Sequence, residues 1–215
     1  MSSPVKASVS PWPHAIGFVF ASIGFAYLIV RFHVNPVWLT VMIVYGCGLC
    51  FAFGASALYH WLGGGGRRRN AVFRRIDHAA IFALIASTYT PVLFFGLDGA
   101  WRISMLASVW FLAALGILST VWFLGAPRIV STSLYVAMGW VALVPAVKLA
   151  AALPHAAGLL FVLGGILYSA GGAIYATRAL NVFPGRFGFH EVFHVFVVAA
   201  AGVHFVAIAF YLVPA

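Results

Sequence analysis

The stretch GFHEVFHVF, residues 188–196, contains an H-E-x-x-H pattern made by His190, Glu191 and His194. On a helix, histidines at positions i and i+4 share one face and can bind one zinc ion, while the glutamate of a zinc peptidase activates water on the metal. The pattern therefore indicates a metal site. Whether its chemistry is that of a peptidase depends on the helices that position these side chains and on what faces them.

The composition of the chain indicates whether those helices lie in water or in a membrane. Of its 215 residues, 64% are hydrophobic and 7% are charged, and the mean hydropathy is +1.08. Soluble domains lie far from these values. We therefore predict an all-α integral membrane protein.

Apolar runs long enough to cross about 30 Å of hydrocarbon, which takes roughly 20 helical residues, occur along the whole chain. Seven such spans are predicted, at 14–32, 37–62, 77–97, 101–124, 131–151, 156–177 and 190–212. Short segments rich in Gly, Pro and Asn separate them. The predicted organisation is a short tail, 1–13, followed by one seven-helix transmembrane domain, 14–212.

The net charge of +9 records the orientation in the membrane, because basic residues collect in cytoplasmic loops. One side of the predicted topology carries nine basic residues: Lys6, Arg67, Arg68, Arg69, Arg74, Arg75, Arg128, Arg178 and Arg186. The other side carries three: Arg31, Arg102 and Lys148. We predict a cytoplasmic N-terminus and an outside C-terminus in a multi-pass protein of the bacterial inner membrane. Its expected partners are bilayer lipids, including anionic headgroups, rather than nucleic acid or another protein.

Ionisable side chains inside the spans are informative, because each costs a few kcal/mol at membrane depth unless it is partnered. The chain has three acids, Asp77, Asp98 and Glu191, and eight histidines. Four histidines lie near predicted helix ends, where we expect water to satisfy them: His14, His33, His78 and His155. His204 lies about 21 Å deeper than His190 and is expected to bond a neighbouring helix.

The predicted topology brings polar residues from three spans to one depth beneath the cytoplasmic surface. The second span ends there, the third and seventh begin there, and the residues concerned are Ser56, His60, Asp77, His190 and His194. Three neutral imidazoles can bind Zn²⁺ in a tetrahedral site with the fourth position open to water. The alternative is that these are unrelated polar residues, each satisfied at its own helix end.

A membrane zinc peptidase would add an Asp ligand, often in an L-D-G context, and such a sequence ends the third span at Asp98. Asp98 lies about 30 Å from Asp77 along that helix, at the opposite end. His60 is therefore the predicted third ligand, and Glu191 is expected to face Arg186 or the Arg-rich loop instead of the metal. Cys47 and Cys50 have a spacing that could bind zinc, but their apolar neighbours favour ordinary buried thiols.

Several segments resemble the hemolysin III branch of the progestin and adipoQ receptor family. They are SALYHWL, RRIDHAAIFALIASTYTPVLF, YVAMGW, GGILYSAGGAIYA and FGFHEVFHVFVVAAAGVHF, in that order. The resemblance implies a seven-helix membrane fold with a zinc site beneath the cytoplasmic face. It also implies that His60, His190 and His194 are the ligands, that Asp77 partners the water on the metal, and that Ser56 stands one turn before the first ligand. Receptors of this family are thought to hydrolyse lipid amides such as ceramide.

Three functions are compatible with these residues. The first is a zinc hydrolase of a lipid amide or ester, in which Asp77 is the general base and Ser56 orients the water or the oxyanion. The second is a zinc-stabilised sensor or homeostasis protein without turnover. The third is a pore-forming cytolysin, as the family name suggests, although the apolar chain has little polar surface for a soluble exported form. We expect the first.

The predicted orientation can be tested by chemical labelling. A cysteine introduced within residues 63–70 should react with a thiol reagent only from the cytoplasmic side, because the excess of basic residues retains that loop inside. Labelling of intact cells by a membrane-impermeant reagent would reverse the orientation and move the site to the outer face.

Overall fold

The computed structural model of the protein describes residues 12–62, 66–122, 127–183 and 187–212, apart from the Arg67 side chain. Most of the predicted tail, 1–13, lies outside the described residues, as do Lys6 and Arg186. Within the described ranges the chain is almost entirely helical, and its only strand-like feature is one isolated bridge between Phe183 and Phe187. The predicted all-α class is confirmed.

Eight α-helices follow one another along the described chain. They are α1 (Trp12–Phe32), α2 (Pro36–Leu62), α3 (Arg67–Gly96), α4 (Gly99–Trp122), α5 (Arg128–Gly139), α6 (Ala146–Ala152), α7 (His155–Thr177) and α8 (Phe189–Val206). A 3-10 turn, Val141–Leu143, connects α5 to α6, and a π-helical turn, Ala207–Tyr211, extends α8.

The lengths and apolar compositions of these helices agree with a multi-pass membrane bundle. Among the described residues, six helices are long and apolar enough to cross a bilayer, and α5 with α6 forms a seventh candidate span that bends by 58°. Large apolar side chains such as Phe20, Ile103 and Leu159 are exposed on the outside. A soluble protein would not expose so much apolar surface, whereas a lipid environment solvates it. The side of the membrane on which each terminus lies stays a prediction.

The order of packing explains how distant segments meet. Successive helices from α1 to α4 pack against their neighbours, α7 packs against both α5 and α8, and α8 also contacts α1. The last helix therefore returns to the first. The start of α1, the end of α2 and the start of α8 consequently come together at one end of the bundle.

Two predicted boundaries need correction. Helix α3 begins at Arg67, ten residues before the predicted start at 77, so Arg67–Asn70 forms its first turn rather than a loop. Arginine has high helix propensity, and Gly66, with φ 104°, provides the turn that precedes the helix. The fifth predicted span, 131–151, is interrupted around Pro145, which lacks the N–H that a continuous helix requires.

Helices α2 and α3 approach each other closely at Gly48. A Cβ atom at this position would overlap both the Oγ and the Cβ of Ser87 on α3. The Cβ of Ser87 cannot rotate away, since its position follows from the backbone. Gly48 therefore allows the close contact between the two helices that carry Ser56, His60 and Asp77.

We predict that Gly48→Ala lowers the free energy of unfolding by about 1–3 kcal/mol, because the added methyl group forces α2 and α3 apart. Gly202→Ala on α8 is the matched control, since a Cβ there meets nothing within 4 Å. Thermal unfolding of the detergent-purified variants measures both effects. Equal stability of the two variants would show that the contact at Gly48 does not limit the packing.

Candidate metal centre

Four histidines from three helices converge at one end of the bundle. His14 lies in the first turn of α1, His60 in the last turn of α2, and His190 and His194 in the first two turns of α8. Each offers one ring nitrogen, and these nitrogens all lie within 4.8 Å of one another. Among the described residues, this cluster could hold a metal ion.

The rings of the cluster are in direct contact. The centroids of His14 and His194 are 3.8 Å apart, and those of His14 and His60 are 4.3 Å apart with the rings stacked. His190 lies 4.6 Å from His194 and 5.3 Å from His60. His14 therefore makes the two shortest ring contacts in the cluster.

The hydrogen bonding of these rings tests whether a metal fits. The Nε2 atoms of all four histidines are buried, and no group among the described residues makes a hydrogen bond to any of them. A buried polar atom without a partner costs about 1–3 kcal/mol. Tetrahedral zinc holds nitrogens at about 2.0–2.1 Å, which places them about 3.3 Å from one another. Since one nitrogen of each ring already lies within 4.8 Å of the others, small side-chain shifts bring four ligand nitrogens to that spacing.

An acid shares neighbours with the cluster. The side chains of the buried Ser56 on α2 and of Asp77 on α3 are close enough to interact, one turn before His60. Tyr59, Tyr135 and Tyr175 are close enough to interact electrostatically with Asp77. The structure thus brings Ser56 and Asp77 together, and Asp77 stands outside the group of four converging nitrogens.

Aromatic and cationic side chains border the cluster on the side of α5 and α7. The ring of Tyr175, in the last turn of α7, lies 5.5 Å from the ring of His190. The Arg128 guanidinium covers Tyr175 at 5.2 Å and Phe189 at 5.3 Å. Arg178 also interacts electrostatically with Tyr175. Positive charge therefore lies next to the histidines, at the exposed end of the bundle.

The histidines predicted to be interfacial fall into two groups. His33 and His155 are exposed at helix ends as predicted, and the Nδ1 of His33 lies 2.7 Å from the Val30 carbonyl oxygen. The prediction for His14 is wrong, because its ring is 1% exposed and belongs to the cluster. The rings of His60 on α2 and His194 on α8 cover His14, although other residues of the first turn of α1, such as Trp12, are exposed. The prediction for His78 is also wrong, since α3 starts earlier and places this half-buried residue inside the helix.

The remaining three histidines of the cluster, His60, His190 and His194, are the predicted zinc ligands, and they do converge. Their role as ligands and the roles of Ser56 and Asp77 in chemistry stay predictions. His14 is the residue that sequence reasoning missed. The sequence indicated its depth, since His14 starts the first span on the side where the second span ends and the seventh begins, but not the burial that identifies His14 as part of the cluster.

The two other acids do not complete a peptidase site. Glu191 is buried and its carboxylate accepts a hydrogen bond from the Gly188 backbone N–H at 2.9 Å, which caps the start of α8. Its expected partner Arg186 lies outside the described residues. Asp98 forms a 2.5 Å ion pair with Arg102 where α4 begins, and its carboxylate is exposed. Neither acid belongs to the group of converging ligand atoms.

The last two sequence candidates lie apart from the metal cluster. The Nε2 of His204 lies 3.1 Å from the Phe161 carbonyl oxygen on α7, which confirms the expected bond to a neighbouring helix. Cys47 is exposed and Cys50 half-buried, so the expectation that both thiols are buried is wrong for Cys47. Both are free thiols, and neither is part of the cluster.

The sequence matches the protein family described as Haemolysin-III related over residues 3–205. It is 31% identical to the Hemolysin-3 homolog of Bacillus subtilis (strain 168), over 93% of this chain and 91% of that protein. It is 30% identical to Hemolysin-3 of Bacillus cereus, over 94% of this chain and 89% of that protein. Heptahelical transmembrane protein ADIPOR2 of Oryza sativa subsp. japonica is 31% identical over 82% of each chain. The matched region spans nearly the whole bundle and includes all four clustered histidines.

Proposed function

The chain belongs to the family of haemolysin-III-related membrane proteins, and from this premise we propose that it is a zinc-dependent hydrolase of a lipid amide or ester. One observation carries the proposal. Four histidines bring one ring nitrogen each to within 4.8 Å of one another, near Ser56 and Asp77, and each has a buried Nε2 without a hydrogen-bond partner among the described residues. Imidazole nitrogens are ordinary ligands of zinc, and a carboxylate near such a site is an ordinary proton acceptor.

His60, His190 and His194 would hold the metal. When bound, a zinc ion would polarise the substrate carbonyl and make a water molecule more acidic. Asp77 would take the proton from the attacking water and pass it to the leaving amine or alcohol as the acyl bond breaks. Ser56, whose side chain interacts with that of Asp77, would donate a hydrogen bond that fixes the orientation of this carboxylate. Water supplies the oxygen of the product acid, and its two protons go to the two products.

The surroundings of the site support a lipid as substrate. The cluster lies at the end of an apolar bundle, where the polar headgroup and the ester or amide of a membrane lipid would be found. The exposed side chains of Arg128 and Arg178, next to Tyr175, can contact an anionic headgroup at that depth. We place this end on the cytoplasmic side of the bacterial inner membrane, in agreement with the excess of basic residues around it.

The fourth imidazole favours a second candidate function, that of a zinc-stabilised membrane sensor or homeostasis protein without turnover. Structural zinc sites have four protein ligands, whereas catalytic sites keep one position for water or substrate. His14 would complete a set of four. A pore-forming function, suggested by the names of the two Bacillus relatives, receives no comparable support from the geometry.

We predict that protein purified without chelators contains about one zinc ion per chain. Substitution of His60, His190 or His194 by Ala should remove the metal and lower the unfolding temperature, since a ligand present at a thousand times its Kd stabilises the folded form by about 4 kcal/mol. Elemental analysis and thermal unfolding measure both effects. His155→Ala, at an exposed position, is the matched control and should retain the zinc. A folded parent protein without metal would refute the proposed site.

A further prediction separates the two acids that could act on water. Hydrolysis of a ceramide or acyl-lipid substrate should fall at least about a hundredfold in Asp77→Asn, through loss of the general base, and only mildly in Glu191→Gln. Zinc content should be unchanged in both variants, because neither carboxylate is among the converging ligand atoms.

The opposite order of effects would restore the peptidase-like role for Glu191. If the parent protein retains zinc but hydrolyses none of a broad panel of ceramides and acyl lipids, the hydrolase proposal fails and the sensor function replaces it.

A further inference from the structure

The first turn of α1 contributes an imidazole to which the proposed reaction assigns no task. We propose that His14 is a fourth metal ligand, which closes the site in the resting protein and must withdraw before an oxygen ligand or substrate can reach the metal. This inference rests on the proposed metal site, and it adds a ligand and a means of control from a different helix.

The environment of His14 is that of a ligand rather than of a solvated helix-end residue. Its ring is 1% exposed and its Nε2 is buried without a hydrogen-bond partner among the described residues. Its ring centroid lies 3.8 Å from His194 and 4.3 Å from His60, closer than any other pair in the cluster. A neutral imidazole always has one nitrogen that accepts, and a metal ion satisfies that nitrogen in an otherwise apolar site.

The packing of α1 explains how His14 reaches the other three rings. Gly17 lies one turn beyond His14, and the ring of Phe53 on α2 occupies the space where a side chain would be. Gly24 receives the ring of Phe205 on α8 in the same way. Two aromatic rings thus fit against glycines and draw α1 close to both ligand-bearing helices, which places its first turn over the site.

A set of four imidazoles has a chemical consequence. Tetrahedral zinc accepts four ligands, so a fourth histidine occupies the position that an oxygen ligand needs. Among the four, His14 is the one on a peripheral helix. In the most apolar stretch of 18 residues of each helix, only 22% of the residues of α1 are buried, against 50% for α2 and 61% for α3. The last span, with 39% buried, has an intermediate value, so α1 is the least buried of the three helices that carry the four histidines, and its first turn is the part that we infer withdraws.

X-ray absorption at the zinc edge of the full-length, detergent-purified protein tests the coordination directly. The parent protein should show four imidazole ligands. His14→Phe, which keeps an aromatic ring against His60 and His194, should show three imidazoles and one oxygen. Its zinc affinity should fall by at least about tenfold, the smaller effect known for loss of even an outer-sphere partner. His33→Phe, at the exposed far end of α1, is the matched control and should resemble the parent.

A second measurement uses the cobalt-substituted protein and azide as the probe. Azide should change the visible absorption of His14→Phe and leave the parent and His33→Phe unchanged, because only the variant has an accessible coordination position. If His14→Phe does not fold, the ligand count and the azide response of the parent still decide the question.

Three imidazoles and an oxygen in the parent, or an azide response of the parent equal to that of the variant, would overturn the role of His14 while leaving the metal site in place. A parent protein that binds no metal at all would instead overturn the proposed function itself, and this inference with it. Metal content alone distinguishes the two failures.

Discussion

The constraint on which this structure depends is that an imidazole nitrogen inside a membrane protein needs a partner. Four Nε2 atoms are buried at one end of the bundle, and the described residues offer none of them a hydrogen bond. Leaving all four unsatisfied would cost several kcal/mol, comparable to the whole stability of many domains. One metal ion can satisfy all four at once, and it then ties the ends of α1, α2 and α8 together. The metal site would thus be part of the fold as well as part of the chemistry.

The arrangement of helices follows from the same constraint. Short connections make successive helices antiparallel neighbours, so that the end of α2 and the start of α8 meet only because the last helix packs back against the first. Helix α3 adds the acid from a third direction. Its Arg-rich start, about 15 Å before Asp77 along the helix axis, places that carboxylate within the bundle, where Ser56 can hold it. Helices α1, α2, α3 and α8 each bring residues of the candidate site to this end of the bundle, and the rest of their length is long and apolar enough to span a bilayer.

Much of this was predictable from the sequence, and the exceptions have physical causes. The lengths of the apolar runs identified the spans. The predicted depths of His60, His190 and His194 in the membrane were equal, which identified them as neighbours. Both inferences depend only on distance along the chain. The start of α3 was missed because hydropathy detects lipid contact, while a helix can continue beyond the lipid through good helix formers such as arginine. His14 was misjudged because burial at a helix end depends on the neighbours that cover it, and a linear sequence does not contain that information.

The H-E-x-x-H pattern alone does not specify the chemistry of the site that contains it. The spacing guarantees only that His190 and His194 share a helical face, and in this protein Glu191 hydrogen-bonds to the Gly188 N–H at the start of α8. Any metal chemistry would depend instead on the residues that other helices bring to this end of the bundle: a third imidazole from α2, Asp77 from α3 and His14 from α1. A hydrolase and a metal-stabilised sensor built on this bundle would share every helix and three ligands. They would differ in the fourth ligand of the metal, which is His14 in one case and an oxygen in the other. Helix α1, which carries His14, is among the least buried helices of the bundle.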